Sequence, residues 1–397
     1  MANLTVSGLE KSFGKRKVLS GLDLTLTDGE FVVVVGPSGS GKTTLLRAIA
    51  GLEDPDAGTI AFDGEVVNDL QPRDRNVAMV AQNPALFPYL TVFENIAFGL
   101  RARGTTRAET IERVEHAAEL VGVSDLLGRH PRQLTEGERQ CVAIGHAIVR
   151  DALLFLLDEP LSRLDSVRRE AMLAALKRLH QERAMTVIYV TQDQMEALNL
   201  GDRIVLLRDG RVEQEGAPIE LFERPVSRFV AGFFGPLKMN FLAGTVARGA
   251  GADAIKLANG GMSVPLPPNR LPAGAADGSP IVLGLRPEHM MRAVRVTPPD
   301  GTLRYEAEIE LIQPTGSRLR ATFRMGGEPV VAELQAHDVS GPGERVRIDI
   351  NLKRATLFDA ETGQALPLVN SAAAAASPAP PPAAPVPAAP EPPAAAA

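Results

Sequence analysis

The chain has 397 residues, 45% of them hydrophobic and 23% charged, an ordinary globular composition at a length suited to two or three domains. With 42 Lys plus Arg against 48 Asp plus Glu, its formal charge is −6, which argues against a general nucleic-acid binder with a basic footprint. One cysteine, Cys141, excludes an intramolecular disulfide framework and a zinc site of several thiolates, and the six histidines form no HExxH-like pair. The first residues lack the long apolar core of a signal peptide, and no run nears the roughly 20 apolar residues of a membrane helix. These features predict a cytosolic chain, for which any membrane span comes from another polypeptide.

Over 1–235, apolar runs alternate with helical patterns, which predicts an α/β domain built on a mainly parallel sheet. Residues 31–35, Phe-Val-Val-Val-Val, are apolar throughout rather than alternating, the pattern of a strand buried on both faces. Gly36, Pro37, Ser38, Gly39, Ser40, Gly41, Lys42 and Thr43 follow at once and fit GxxxxGK[ST], with Thr44 opening a helical run. Backbone N–H groups of such a loop, with the helix N-terminus behind them, cradle phosphate oxygens. Lys42 then neutralises the β- and γ-phosphates, and Thr43 ligates Mg²⁺. A glycine-rich turn that binds nothing is the plain alternative, which the strand–loop–helix context disfavours.

Residues 87–150 are mostly helical in pattern, a helical subdomain. The apolar run 153–157 ends in Asp158 and Glu159. There Asp158 is placed to hold Mg²⁺ and Glu159 to orient and polarise an attacking water, although an acidic pair at a strand end is by itself more often just solvated. Residues 186–190 predict another doubly buried strand, and 203–213 a hairpin turning at Asp209 and Gly210. From 236 to 369 short strand-like runs (281–285, 319–323, 345–350) separated by Gly and Pro predict a small all-β barrel or sandwich. Residues 370–397 are Ala/Pro-rich, with nine prolines in 371–397, and predict a disordered or extended tail.

Together these motifs resemble the ATPase subunits of ATP-binding-cassette importers, in the maltose-type subgroup that serves sugars and glycerol phosphates, over residues 4 to about 369. The resemblance implies a P-loop nucleotide hydrolase domain with a helical subdomain, then an OB-like regulatory domain, with ATP and Mg²⁺ as ligands. Phe13 stands where the family stacks an aromatic ring on adenine; an ordinary core phenylalanine is the alternative. Gln82 matches the Q-loop glutamine, which touches Mg²⁺ and the γ-phosphate side and links to the membrane subunit. Residues 161–165, Leu-Ser-Arg-Leu-Asp, match the D-loop at the dimer seam, where Asp165 reads equally as a helix N-cap. Residues 234–241 and 285–289 resemble the entry to the regulatory domain.

The implied partners are transmembrane permease subunits, a second ATPase subunit (identical or a paralogue) and, indirectly, a periplasmic or extracellular solute-binding protein. The implied place is the cytoplasmic face of the membrane. Nucleic acid is not an expected partner, because the barrel has only Phe241, Tyr305, Phe323 and Phe358 to stack on bases.

Two departures from the family bear on catalysis. The signature LSGGQ reads Leu134-Thr135-Glu136-Gly137-Glu138, so Thr135 and Gly137 keep the hydroxyl and one glycine while two acids enter. A carboxylate about 6 Å from a phosphate charge costs about 3 kcal/mol at an effective dielectric of about 20. The same residues also spell a capping box, Thr135-x-x-Glu138, and acids suit a helix N-terminus. The second departure is Gln192, where the family has a histidine that contacts the γ-phosphate. An amide orients water or phosphate but carries no imidazolium charge.

The expectation is ATP binding with slowed hydrolysis. A nucleotide-binding scaffold with little turnover is the alternative, as is an importer of polyamine or inorganic anion. Cys141 and His146, both at usual arginine positions, are expected to be a semi-buried and a surface helix residue.

Overall fold

The computed structural model describes residues 3–249, 253–272 and 275–367, so the Ala/Pro tail lies outside the described residues. The chain divides into two compact units after Met239. In the first, β1 (Leu4–Phe13) and β2 (Arg16–Leu26) form an antiparallel hairpin, followed by β3 (Phe31–Val35), all of it buried. A loop leads into α1 (Lys42–Ile49), then β4 (Ala57–Phe62) and β5 (Glu65–Val66). Strand β4 pairs with β1, so an antiparallel sheet runs in the order β2-β1-β4-β5. Composition did not mark this sheet, because its strands interleave buried leucines with charged outward residues.

The second sheet takes β6 (Val77–Val80), then receives the chain back after three helices, α2 (Val92–Ala102), α3 (Arg107–Leu120) and α4 (Glu136–Ile148). Next come β7 (Leu154–Asp158), α5 (Ser166–Arg183), β8 (Val187–Thr191), α6 (Gln194–Leu200), β9 (Arg203–Arg208) and β10 (Arg211–Gly216). The order is β10-β9-β3-β8-β7-β6, parallel from β9 to β6, with β10 as an antiparallel edge. The β9–β10 turn has positive φ at Asp209 (48°) and Gly210 (76°), as a two-residue hairpin requires.

The unbroken apolarity of β3 follows from its position. Phe31, Val33 and Val35 pack on the side of the helical subdomain, while Val32 and Val34 pack with Leu4, Leu22 and Leu24 of the antiparallel sheet. Parallel order has a functional consequence: the carboxyl ends of β3, β6, β7 and β8 open at one edge, where open α/β sheets bind ligands.

The second unit contains β11 (Asn240–Ala247), β12 (Ala254–Leu257), β13 (Ser263–Pro265) and β14 (Pro280–Leu285). It continues with β15 (Met290–Arg292), β16 (Thr302–Pro314), β17 (Arg318–Met325), β18 (Glu328–Gln335), β19 (Arg345–Asn351) and β20 (Thr356–Asp359). They form two antiparallel sheets, β13-β12-β11-β14-β20 and β15-β19-β16-β17-β18. Burial alternates along β11 and β17, the mark of sheets with one packed face. Asn240 ties this unit at its first residue: its amide donates to the carbonyls of Leu285 and Val331 and accepts from Val331 N–H. Phe323 and Phe358 are fully buried, each against a second ring (Tyr305 at 5.9 Å, Phe241 at 5.7 Å). Phe323 and Phe358 therefore pack the unit, with Phe241 and Tyr305 half-buried against them.

Candidate functional site

The loop between β3 and α1 owes its shape to glycine. Gly36, Gly39 and Gly41 all have positive φ, and a Cβ on Gly41 would lie 2.9 Å from the Val18 carbonyl. Lys42 is only 5% exposed, and its ammonium donates to the carbonyls of Gly36 (2.8 Å) and Pro37 (2.9 Å). Burial holds its pKa below the usual lysine value, against the pull of Glu159 and Asp158. Ser40 is buried with its hydroxyl unpartnered, while Pro37, Ser38, Gly39 and Thr43 are exposed and Thr44 is half-buried. A buried orphan hydroxyl in an exposed glycine-bearing loop at a helix N-terminus fits a phosphate cradle.

Four strand ends converge on this loop. Asp158, the last residue of β7, accepts from the Thr43 hydroxyl at 3.1 Å. Burial raises the Asp158 pKa, and the Thr43 hydrogen bond partly offsets it. Glu159 follows with φ 46°, a left-handed conformation that a non-glycine residue adopts at a cost and that recurs at functional sites. Its carboxylate is held at both oxygens: Gln82, beyond β6, donates to Oε2 at 2.9 Å, and Gln192, directly after β8, donates to Oε1 at 2.6 Å. Residues 82, 159 and 192 are far apart in sequence and meet because their strands are neighbours in parallel register. Phe13 is half exposed, with the Lys11 ammonium 5.5 Å from its ring. In the hairpin it pairs with Arg16, whose guanidinium reaches the Gly39 carbonyl at 3.5 Å.

Thr135 and Gly137 stand elsewhere, at the N-terminus of α4. Thr135 caps that helix and shares a reciprocal capping box with Glu138: Glu138 N–H donates to the hydroxyl at 3.3 Å, and Thr135 N–H donates back to the carboxylate at 2.7 Å. These bonds hold the Glu138 carboxyl below its usual pKa. Glu136 forms an ion pair with Arg163 and Glu138 lies 3.7 Å from Arg168. Among the described residues, no hydrogen bond joins this segment to the phosphate loop. Asp165 is the N-cap of α5, accepting from Arg168 N–H at 3.0 Å.

Two expectations about α4 resolve differently. Cys141 is buried and its thiol is pushed up to about 11 by desolvation, so it packs rather than reacts. His146 is half-buried rather than a free surface residue: Nδ1 lies 2.7 Å from the Asn95 carbonyl, and burial lowers its pKa. Sequence reasoning did not single out Asn83, nor the hydrogen bond that joins it to Arg163 of the 161–165 segment. No local pattern marks that pairing, since the two residues lie 80 positions apart.

The matches to known proteins agree with this geometry. Residues 19–162 match the ABC transporter family model, 238–290 the MalK OB fold domain and 283–358 the TOBE domain. A putative ATP-binding protein of Brucella suis biovar 1 (strain 1330) is 43% identical over 93% of this chain and 100% of its own length. The sn-glycerol-3-phosphate import ATP-binding protein UgpC of Ruegeria sp. (strain TM1040) is 43% identical over 92% of this chain and 99% of its own. The UgpC of Cupriavidus necator (strain ATCC 17699) is 42% identical over 92% and 99%. Among solved structures, the cassette MJ0796, in a dimeric post-hydrolysis state bound to ADP and Pi, aligns with TM-score 0.51 at 31% identity, over 54% of this chain and 98% of its own. On a parallel-sheet phosphate loop, a strand-end acidic pair and full-length likeness at this identity, the chain belongs to the ATP-binding-cassette ATPases, as the ATP-hydrolysing subunit that energises solute uptake by an importer.

Proposed function

We propose that this chain binds ATP and Mg²⁺ on residues 36–44, closes against a second ATPase subunit and drives a membrane permease from the cytoplasmic face. The observation that carries this reading is the Glu159 carboxylate, gripped by amides from two neighbouring strand ends while adjacent Asp158 meets Thr43 of the phosphate loop. Thr43 and Asp158 offer hard oxygen donors of the kind Mg²⁺ prefers, and Gln82 offers an amide carbonyl. Held by Thr43 and Asp158, the ion would supply positive charge to the phosphates of the nucleotide.

The chain's own residues do the rest. Lys42 exchanges two loop carbonyls for phosphate oxygens, and Phe13 provides an exposed ring for the base. Departure of the Gln82 amide frees Oε2 of Glu159 to accept a proton from the attacking water, while Gln192 retains Oε1 and fixes the carboxylate plane. Thr135 and Gly137 face the nucleotide of the second subunit. Beyond Gln82, Phe87, Tyr89 and Phe98 are exposed, the rings of Phe87 and Phe98 tilted against each other at 4.4 Å, an apolar surface that suits a permease helix. Asn95, 1% exposed, holds that loop through the backbone of Phe87, Leu90 and Thr91. Within the sugar, polyol and glycerol-phosphate class, this reading favours glycerol phosphate, for whose import two of the relatives above are named; a solute-binding protein delivers it.

Substituting Glu159→Gln tests the core of the proposal. Nucleotide binding is expected to persist while turnover falls about 10²–10⁴-fold, the usual worth of a general base. Uptake of labelled sn-glycerol-3-phosphate by cells carrying the chain and its permease should fall in parallel. Uptake of a polyamine or an inorganic anion instead would reassign the solute.

A further inference from the structure

The two acids of the α4 N-terminus are each met by an arginine from the segment after β7, Glu136 by Arg163 and Glu138 by Arg168. Arg163 does more than pair. A second guanidinium nitrogen donates to Oδ1 of Asn83, the residue next to Gln82. Gln82 in turn bonds Glu159. One side chain therefore touches both the start of the signature helix and the glutamine loop. It stands four residues beyond Glu159 in the chain, just after the turn that Ser162 closes onto the Glu159 carbonyl at 2.8 Å.

We propose that Arg163 is a positioning residue that neutralises Glu136 within its own chain, so that the altered signature helix can still face a phosphate. A guanidinium suits this task because its planar fork carries five donors, enough to hold a carboxylate and an amide oxygen together. The Asn83 bond fixes the fork in place, and the charge of Glu136 is met before any nucleotide arrives. The proposal rests on the reading that the α4 N-terminus faces the nucleotide of a second subunit.

ATP titrations of the full-length protein with its permease test this, using Arg163→Ala, Arg163→Lys, Glu136→Gly and the double variant Glu136→Gly/Arg163→Ala. Arg163→Ala is expected to raise KM for ATP about tenfold, with kcat changed less than about threefold, because an unpaired carboxylate then opposes the phosphate. Arg163→Lys, which keeps the charge, should hold KM within about threefold of the wild type. In the double variant KM should return to that of Glu136→Gly, since the two side chains act as a pair. An unchanged KM in Arg163→Ala, an equal loss in Arg163→Lys, or the same loss with Glu136 absent overturns the proposal. Binding of a fluorescent ATP analogue to the wild-type phosphate loop is measured alongside. Failure there counts against the nucleotide site itself, whereas intact binding with no KM effect counts against Arg163 alone.

Discussion

Glu159 is held in a left-handed backbone conformation with both carboxylate oxygens engaged by glutamine amides. Such a carboxylate is well oriented but occupied, so in the proposed role of base it needs one amide to leave. Gln192 is the partner at which the resemblance implies a departure from the family. Its amide orients the carboxylate but cannot carry a proton or a positive charge. Gln192→His is therefore expected to raise kcat by about three- to tenfold in a steady-state ATPase assay, less than the roughly 10²–10⁴-fold of a full general base, because Glu159 keeps that role. An unchanged or lower kcat would show that orientation by the amide is sufficient. The candidate residues themselves were legible from their motifs, because strand–loop–helix and strand–Asp–Glu patterns are local. The two amide bonds to Glu159 were not, because they depend on which strands become neighbours.

At the scale of elements, the segment from β8 into α6 has a buried charge that serves packing. Glu196 is 4% exposed, and its Oε2 accepts from the hydroxyls of Tyr189 (2.8 Å) and Thr191 (2.7 Å). Burial raises its pKa, assisted by Asp193, while the two hydroxyls and Arg169 pull it down. A folded-state value above the unfolded one means that the folded protein binds the proton more tightly. The stabilisation is full below the unfolded carboxyl value and is lost as pH rises through the raised folded value. Denaturant titrations across about pH 4 to 8 should show this decline in the wild type and a flatter profile in Glu196→Gln, starting from the usual carboxylate range. Equal slopes in the two proteins would assign the decline to another group. The α4 capping box was legible as Thr135-x-x-Glu138, since a helix N-terminus is decided within four residues. The burial of His146 was not legible, for the opposite reason: it depends on Asn95, 51 positions away.

On the scale of the whole molecule, the chain has separate apolar cores on either side of Met239. Phe323 is fully buried in the second. Phe323→Ala should cost about 3–5 kcal/mol by the usual penalty for emptying an aromatic core site. Calorimetry is expected to show a lowered transition for that unit, while nucleotide binding by the first is retained. Loss of binding together with that transition would mean that the two cores melt as one.

Sequence alone determined the phosphate loop, the acidic pair, the doubly buried strands, the β9–β10 turn and the change to β structure near residue 236, because each is a pattern within a few to a dozen residues. Tertiary structure decided the rest. It set the order β9-β3-β8-β7-β6, which gathers Gln82, Glu159 and Gln192 at one sheet edge, and the pairing of Glu136 with Arg163. The isolated signature pattern suggested an acid that opposes phosphate; the fold supplies its counter-charge. The physical reason is that the effect of a carboxylate depends on the charges and donors around it, and those come from segments that only folding brings together.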